Sequence, residues 1–289
     1  MTGEGAPPFR SGFVTVVGRP NVGKSTLVNA VLQAKVSITS ASPNTTRTRV
    51  RGILEGPGYQ AVFVDTPGMH RPRSALGERL NETAEGALDD VDVCVLVVDA
   101  TARVGPGDRY VASQLPRGSV VVVNKLDRAA PEQLLAQLDR AHSELGLVDA
   151  EYFPVSARTG EGVAALVSHV VGRLPPGPRY YPEGTVRDVP DAFFLAELVR
   201  EQLLRFAREE LPHSIACRVV EWDLPYVRCE ILVERESQKG IVVGRHGSVL
   251  KAVGTAARRA LPPGSYLDLV VKVERDWQRR PDLIERLGY

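Results

Sequence analysis

Apolar residues in this chain fall into short unbroken runs separated by longer mixed stretches. The runs are Phe13-Val14-Thr15-Val16-Val17, Val62-Phe63-Val64, Val120-Val121-Val122-Val123 and Tyr152-Phe153-Pro154-Val155. Each reads as a strand, and Val62-Phe63-Val64 as a buried one. Between them the pattern turns helical, beginning with Thr26 to Leu32. Up to about Leu174 the alternation predicts an α/β domain, a mostly parallel sheet with helices on both faces.

Pro175-Pro176-Gly177-Pro178 breaks that rhythm, because proline neither donates to a ladder nor continues a helix. The order of elements then changes. From Ala192 to Leu211 apolar residues recur at helical spacing (Leu195, Leu198, Val199, Leu203, Phe206). Ile215–Trp222 and Val227–Glu234 alternate like strands around a Leu224-Pro225-Tyr226 turn. Gly240 to Gly247 follow, then a helix-like stretch from Ser248 to Leu261 and a last strand over Leu267–Val273. Two domains are expected, at 9–174 and, past a linker at 175–190, at 191–289 with a C-terminal tail. Residues 1–8 are expected to be a flexible N-terminus.

At 289 residues and 43% hydrophobic content, the chain can form both cores. No run approaches the ~18 apolar residues of a membrane span. The first dozen residues are polar and Gly/Pro-rich, with no apolar signal core, so a cytoplasmic protein is expected. Cys94, Cys217 and Cys229 lack metal or C-x-x-C spacing and read as buried thiols in a reducing compartment. A net charge of +1 announces no domain-wide basic field.

The chemistry lies in the loops after the strands. Gly18-Arg19-Pro20-Asn21-Val22-Gly23-Lys24-Ser25 matches G-x-x-x-x-G-K-S between a strand and a helix, the context of a phosphate-binding loop. Backbone N–H groups from Gly18 through Asn21, Val22, Gly23 and on to Thr26 would converge on an anion at a helix N-terminus. Lys24 would reach the β- and γ-phosphates, and the Ser25 hydroxyl would bind Mg²⁺. After the second run comes Asp65-Thr66-Pro67-Gly68. Asp65 would hold a water on Mg²⁺, and the Gly68 N–H would sense the γ-phosphate. Alone, D-T-P-G is equally a type I or II turn.

Asn124-Lys125-Leu126-Asp127 names the base. Asp127 can accept from N1–H and N2 of guanine, whereas adenine would leave a buried carboxylate unpaired. Asn124 would brace the loop and touch N7, and the Lys125 stem would lie along the base. In Ser156-Ala157, the Ala157 N–H is suited to guanine O6. Four motifs in order, each after a strand, point to GTP and GDP. Ser42-Pro43-Asn44-Thr45-Thr46-Arg47-Thr48-Arg49 could supply a Thr hydroxyl to Mg²⁺; Thr46 is taken over Thr45, which the sequence separates poorly. The rest of that stretch is expected to be a solvated loop. Lys24, Thr46 and Gly68 are the candidates that act on the phosphoryl group.

The chain resembles the Era family of bacterial ribosome-assembly GTPases. The resemblance rests on G-R-P-N-V-G-K-S at 18–25, S-I-T-S…T-T-R-T-R at 37–49, D-T-P-G and N-K-L-D. Further along it rests on E-R-E-S-Q-K-G-I-V-V-G at 234–244 and the closing W-Q-R-R-P-D-L-I-E-R-L-G-Y. It covers nearly everything from Phe13 to Tyr289. It implies that the chain, with its α/β P-loop GTPase domain, hydrolyses GTP, binds the 3′ end of 16S rRNA and assists maturation of the 30S subunit.

The distal element order, helix–strand–strand–helix–GxxG–helix–strand, is that of an α+β type II KH domain, whose GxxG turn lets RNA backbone approach. From Ser237 to Tyr266 there are Lys239, Arg245, Lys251, Arg258 and Arg259 and no acid, which reads as a phosphate-facing surface around Gly244, Arg245, His246 and Gly247. Family members usually carry Lys where this chain has Arg245, and Arg meets phosphate as well. Arg275, Arg279 and Arg280 interleave with Trp277, either to stack on RNA or as a solvated helix with one anchoring Trp.

Where Ras-like enzymes place a water-orienting Gln, this chain has Met69. Asn21 could substitute, since related GTPases use the equivalent Asn to hold K⁺; its other reading is a turn-forming Asn. A monomer is expected. Two further readings stay open. One is an RNA-binding assembly factor with a structural nucleotide pocket. The other is a GTPase in weak peripheral contact with the inner face of the cell membrane, for which no basic amphipathic helix speaks.

Overall fold

Valine runs dictate the first sheet. Its strands are β1 (Arg10–Val17), β2 (Val50–Gly56), β3 (Tyr59–Asp65), β4 (Val93–Asp99), β5 (Val120–Asn124) and β6 (Glu151–Val155). The structure, a computed structural model, describes residues 8–42, 44–69, 75–89, 91–206 and 214–289. The sheet order is β2-β3-β1-β4-β5-β6. Every residue of β4 and β5 is buried, as the centre of a two-sided sheet requires. Side chains alternate between two cores. Val95, Val97, Val120 and Val122 join the core carrying α1 (Lys24–Leu32) and α5 (Val163–Arg173). Leu96, Val98, Val121 and Val123 join the core of α2 (Ala75–Glu85), α3 (Pro106–Ala112) and α4 (Pro131–Glu144).

Five strands run parallel. β2 is antiparallel to β3, because only Pro57 and Gly58 connect them and so short a link makes a hairpin. Pro154 sits in β6 at an edge, where its missing donor costs no ladder bond.

The chain divides into two compact units. One includes Thr46 onward through the D-T-P-G loop and Leu80–Asp188; the other includes Ile38–Thr45 and Val189–Tyr289. The 175–190 stretch, expected as a linker, is bonded to the first sheet. Ser11 N–H donates to the Pro175 carbonyl (3.1 Å), Ile53 N–H to Val186 (3.0 Å) and Asp188 N–H to Arg51 (3.0 Å). Of the N-terminal stretch expected to be flexible, 1–7 lie outside the described residues.

The second unit packs three of its helices on one face of a three-stranded sheet. α6 (Asp191–Leu204), β7 (Ala216–Asp223), β8 (Tyr226–Val233), α7 (Glu236–Val243), α8 (Ser248–Ala257), β9 (Tyr266–Val273) and α9 (Pro281–Arg286) follow in order. β7 and β8 are antiparallel, and β9 joins β8 in parallel. Leu195, Val199 and Leu203 of α6 meet Cys217, Cys229, Ile231, Val242, Val253 and Val271 in one core. The expected helix from Ala192 ends at Leu204, and 207–213 lie outside the described residues. All three cysteines are buried free thiols. Among the described residues no helix is long and apolar enough to cross a membrane.

Candidate functional site

The sheet order reverses beside β1, and the crevice beyond a reversal at the carboxyl ends is where open α/β sheets take ligands. The phosphate loop leaves β1 there and runs into α1. Gly23 caps α1 at φ 99°, and a Cβ on it would stand 2.3 Å from Asn124 Nδ2. With glycine in place, Asn124 donates to the Val22 carbonyl at 2.9 Å. Asn124 thus ties its own loop to the phosphate loop. Gly68 is pressed against the same loop: a Cβ there would lie 2.8 Å from Pro20 Cα. Met69 is buried in the core of α2 to α4, its N–H directed to the Gly18 carbonyl (3.3 Å). It offers no polar group to a water.

Lys24 is 6% exposed, and its ammonium donates to the Gly18 and Arg19 carbonyls at 3.0 and 2.9 Å. Burial pulls its pKa down to about 8, against the opposing charge of Asp65. Burial pushes the Asp65 carboxyl up, opposed by Ser25, Lys24 and Thr46. Thr46 Oγ1 lies 2.9 Å from Ser25 Oγ and donates to Asp65 Oδ2 at 3.3 Å. The Thr45 hydroxyl turns away, to the Ser42 carbonyl at 2.6 Å. Asp65 Oδ1 is buried with no hydrogen-bond partner among the described residues. Two hydroxyls and an orphaned carboxylate oxygen form an oxygen-only donor set, which suits Mg²⁺ and would satisfy an atom that is costly to bury alone.

The solvated loop expected around these threonines is corrected. None of the described residues from 42 to 49 is exposed, and Thr46 and Arg47 are buried. The Thr45 and Thr46 hydroxyls and the Arg49 Nε have partners inside the fold.

At the base end, Asp127 Oδ1 accepts from the Ser156 hydroxyl at 2.6 Å, and Oδ2 pairs with Arg158 at 2.5 Å. The Ser156 bond first, then the Arg158 charge, hold this carboxyl below the usual range. It is therefore an ionised acceptor at neutral pH. Lys125 adopts φ 71° and donates to the Asn21 carbonyl (2.7 Å) and to Asp99 (2.6 Å). The Ala157 N–H, expected at guanine O6, is bonded to Asn124 Oδ1 at 3.0 Å, since β5 and β6 pair side by side and end together. Asn21 is exposed at φ 65°, a conformation Asn tolerates, which suits its turn-forming reading. Ser25 and Thr26 lie in the first turn of α1. Sequence reasoning missed Asp99 and Arg158. Arg158 directly follows Ser156-Ala157, and Asp99 ends a valine run as Asp65 does.

In the second unit α7 ends at Gly244 (φ 74°), and Gly247 (φ 75°) caps α8 with open space where a Cβ would stand. Arg245 and His246 between them are exposed, as are Lys251, Arg258 and Arg259; Lys239 is half-buried. Among the described residues none of Lys239, Arg245, Lys251, Arg258 and Arg259 forms an ion pair. Ile241, which the sequence did not single out, is 54% exposed beside the turn. Trp277 is wholly buried and donates to the Ser214 carbonyl (2.9 Å), so of its two readings the anchor holds. Arg280 is paired with Glu274 (2.8 Å) and Asp282 (3.2 Å).

Comparison with known proteins gives the same two parts. Residues 13–125 match the family described as 50S ribosome-binding GTPase, and residues 210–278 match the KH domain family. The chain is 48% identical over 297 residues to the GTPase Era of Mycobacterium sp. strain KMS, covering 97% of this chain and 99% of the relative. It is 47% identical over 298 residues to that of Mycobacterium tuberculosis, with the same coverage. A crystal structure of Era with MgGDPNP and nucleotides 1506–1542 of 16S ribosomal RNA superposes with a TM-score of 0.92 at 36% identity, over 97% of this chain and 99% of that one. A single-residue variant of Aquifex aeolicus Era bound to GDP·AlF4⁻ gives 0.90 at 36% identity, with the same coverage.

Proposed function

The chain belongs to the Era family of GTPases, and from that premise we propose that it couples GTP hydrolysis to binding the 3′ end of 16S rRNA through its KH unit during assembly of the 30S subunit. The observation that carries the proposal is the convergence of Ser25, Thr46 and the unpartnered Asp65 oxygen beside the buried Lys24.

Ser25 and Thr46, with Asp65 directly or through a water, would hold Mg²⁺. Bound there, the ion would supply positive charge to offset that of the phosphates. Lys24 leaves its two carbonyl partners for the phosphates. The loop N–H groups from Asn21 to Thr26 and the Lys24 ammonium then stabilise charge on the transferring phosphoryl group as water attacks. Gly68, which packs against Pro20, would report the γ-phosphate. Asp127 takes N1–H and N2 of guanine; Asn124, Lys125, Ser156 and Ala157 support the base. Gly244 and Gly247 admit a sugar–phosphate backbone, Lys239, Arg245, Lys251, Arg258 and Arg259 neutralise it, and Ile241 gives a base an apolar surface.

With Met69 where Ras-like enzymes have Gln, unassisted turnover should be slow, on the order of ~10⁻⁴ s⁻¹. Asn21 is proposed to hold K⁺; hydrolysis in K⁺ should exceed that in Na⁺, and Asn21→Ala should remove the difference. The protein is taken to act as a cytoplasmic monomer, and cosedimentation with liposomes would reveal any peripheral membrane contact. Single-turnover hydrolysis with and without a 16S 3′-end oligonucleotide tests the coupling. Faster turnover with RNA supports it. Equal rates would leave an RNA-binding factor whose nucleotide pocket is structural.

A further inference from the structure

One ammonium joins the base loop to the phosphate loop. Lys125 Nζ donates to the Asn21 carbonyl at 2.7 Å and to Asp99 Oδ2 at 2.6 Å. Asp99 ends β4, is only 9% exposed and is itself held in place. Its Oδ1 accepts from the Thr101 N–H at 2.8 Å and from the Thr101 hydroxyl at 2.7 Å. Its main-chain carbonyl takes a hydrogen bond from Gln137 of α4 at 3.1 Å. Burial would raise the Asp99 carboxyl, but the bonds from Lys125 and Thr101 outweigh it and hold the group below its usual range, so it is ionised at neutral pH. All of these residues lie in the first compact unit.

Asn21 and Lys125 both stand in the left-handed region, at φ 65° and 71°. Residues other than glycine persist there where their surroundings over-determine them. A lysine side chain is long and loses much rotamer freedom when it is held in one course. A lone carbonyl lets the ammonium pivot about a single contact. A carboxylate as second acceptor removes that freedom, because charge-assisted bonds are the stronger kind. With backbone and ammonium both fixed, the stem between them is fixed as well.

We infer that Asp99 is a positioning residue for the guanine nucleotide: it holds the Lys125 ammonium against the Asn21 carbonyl, which lays the lysine stem along the base and ties the base loop to the phosphate loop. Asp99 acts through Lys125 rather than on the nucleotide. The inference rests on the reading of Lys125 as a residue that lies along the base.

The test titrates the full-length protein with fluorescently labelled GDP. Asp99→Asn keeps the size and the acceptor for Thr101 but loses the charge that faces Lys125. It should weaken GDP binding by ~10-fold, roughly the rotamer freedom that a released lysine regains. In a Lys125→Met background the same substitution should change affinity by no more than about twofold, because the partner it acts through is gone. An Asp99 that merely supported the end of β4 would instead add its full loss to that of Lys125→Met. Wild-type affinity in Asp99→Asn, or full additivity with Lys125→Met, would overturn the inference. Should Asp99→Asn not fold, Asp99→Ser takes its place, since a serine hydroxyl still accepts from the Thr101 N–H but is too short to reach Lys125; the same two results overturn it. Lys125→Met by itself separates this inference from the reading beneath it. If that variant binds GDP as the wild type does, the placing of Lys125 along the base fails. If it loses affinity while Asp99→Asn does not, only the role of Asp99 falls.

Discussion

The phosphate loop and the GxxG turn are both glycine-built places for a phosphate, yet they hold their cations in opposite ways. Lys24 is 6% exposed and its ammonium already rests on two carbonyls, with Ser25, Thr46 and Asp65 gathered around it. Arg245 and His246 stand in solvent, and the basic residues near them have no acidic partner among the described residues. The first arrangement gathers its donors inside the fold before the ligand arrives, which favours stabilising charge at a single reacting phosphorus. The second offers a movable field of charge, suited to a polymer that is held rather than transformed. Perturbations should therefore be large and specific at the first site, and graded and salt-sensitive at the second.

The sharpest contrast lies at the base. Asp127→Asn should cost on the order of 10⁴-fold in GTP affinity, the penalty for a buried polar site that loses its match, and should admit xanthosine triphosphate. Nucleotide-binding titrations measure both; tight ATP binding by the parent protein would remove the guanine assignment. The two glycines come next. Gly23→Ala drives a Cβ into Asn124 Nδ2 and should leave buried groups unpaired, for a loss of ~10–100-fold in nucleotide affinity. Gly247→Ala meets open space and should cost only the ~1–2 kcal/mol of a left-handed residue, read by denaturant unfolding.

Salt separates the sites further. If three of the five cations meet single-stranded RNA, log affinity should fall with log salt at a slope of about −2, from ~0.7 per phosphate. GTP affinity should vary far less, because buried charges are screened less. A flat RNA profile would contradict the exposed-cation reading. The smallest effect concerns pH. Because Ser156 and Arg158 hold the Asp127 carboxyl below the usual range, GTP affinity should persist as pH falls through ordinary carboxylate values and decline only below them. Arg158→Ala should move that decline upward, by less than ~10-fold in affinity at any pH, the equivalent of one pKa unit. Coincident profiles would assign the shift to Ser156 alone.

Much of both sites was legible because their chemistry uses contiguous residues. Gly18–Ser25, Asp65–Gly68, Asn124–Asp127 and Ser156-Ala157 each follow a strand whose apolar run announces it, and Gly244–Gly247 falls between two helices as its element order requires. What escaped the sequence were partners far apart in the chain. Arg200 on the Thr45 carbonyl carries no local pattern, and Asp99 on Lys125 only its place at the end of a valine run, since a single residue gains its role only when the fold brings it to another. The same holds for burial. Polar Ser42 to Arg49 suggested solvent, and Trp277 left two readings; the inward turn of Thr46 and Arg47 and the Ser214 carbonyl under the indole decided them.

The account stands on one chain carrying a GTP site and a separate KH surface for RNA, and a double substitution at the turn tests it most directly. Arg245→Asp with His246→Asp places two negative charges where the sugar–phosphate backbone should pass. Both side chains are exposed, so the fold and GTP binding should be retained. Affinity for an oligonucleotide from the 16S 3′ end should fall by ~10-fold or more, since repulsion replaces at least one phosphate contact. Unchanged RNA affinity, with unchanged thermal unfolding and GTP binding, would contradict the account and move RNA away from the GxxG turn.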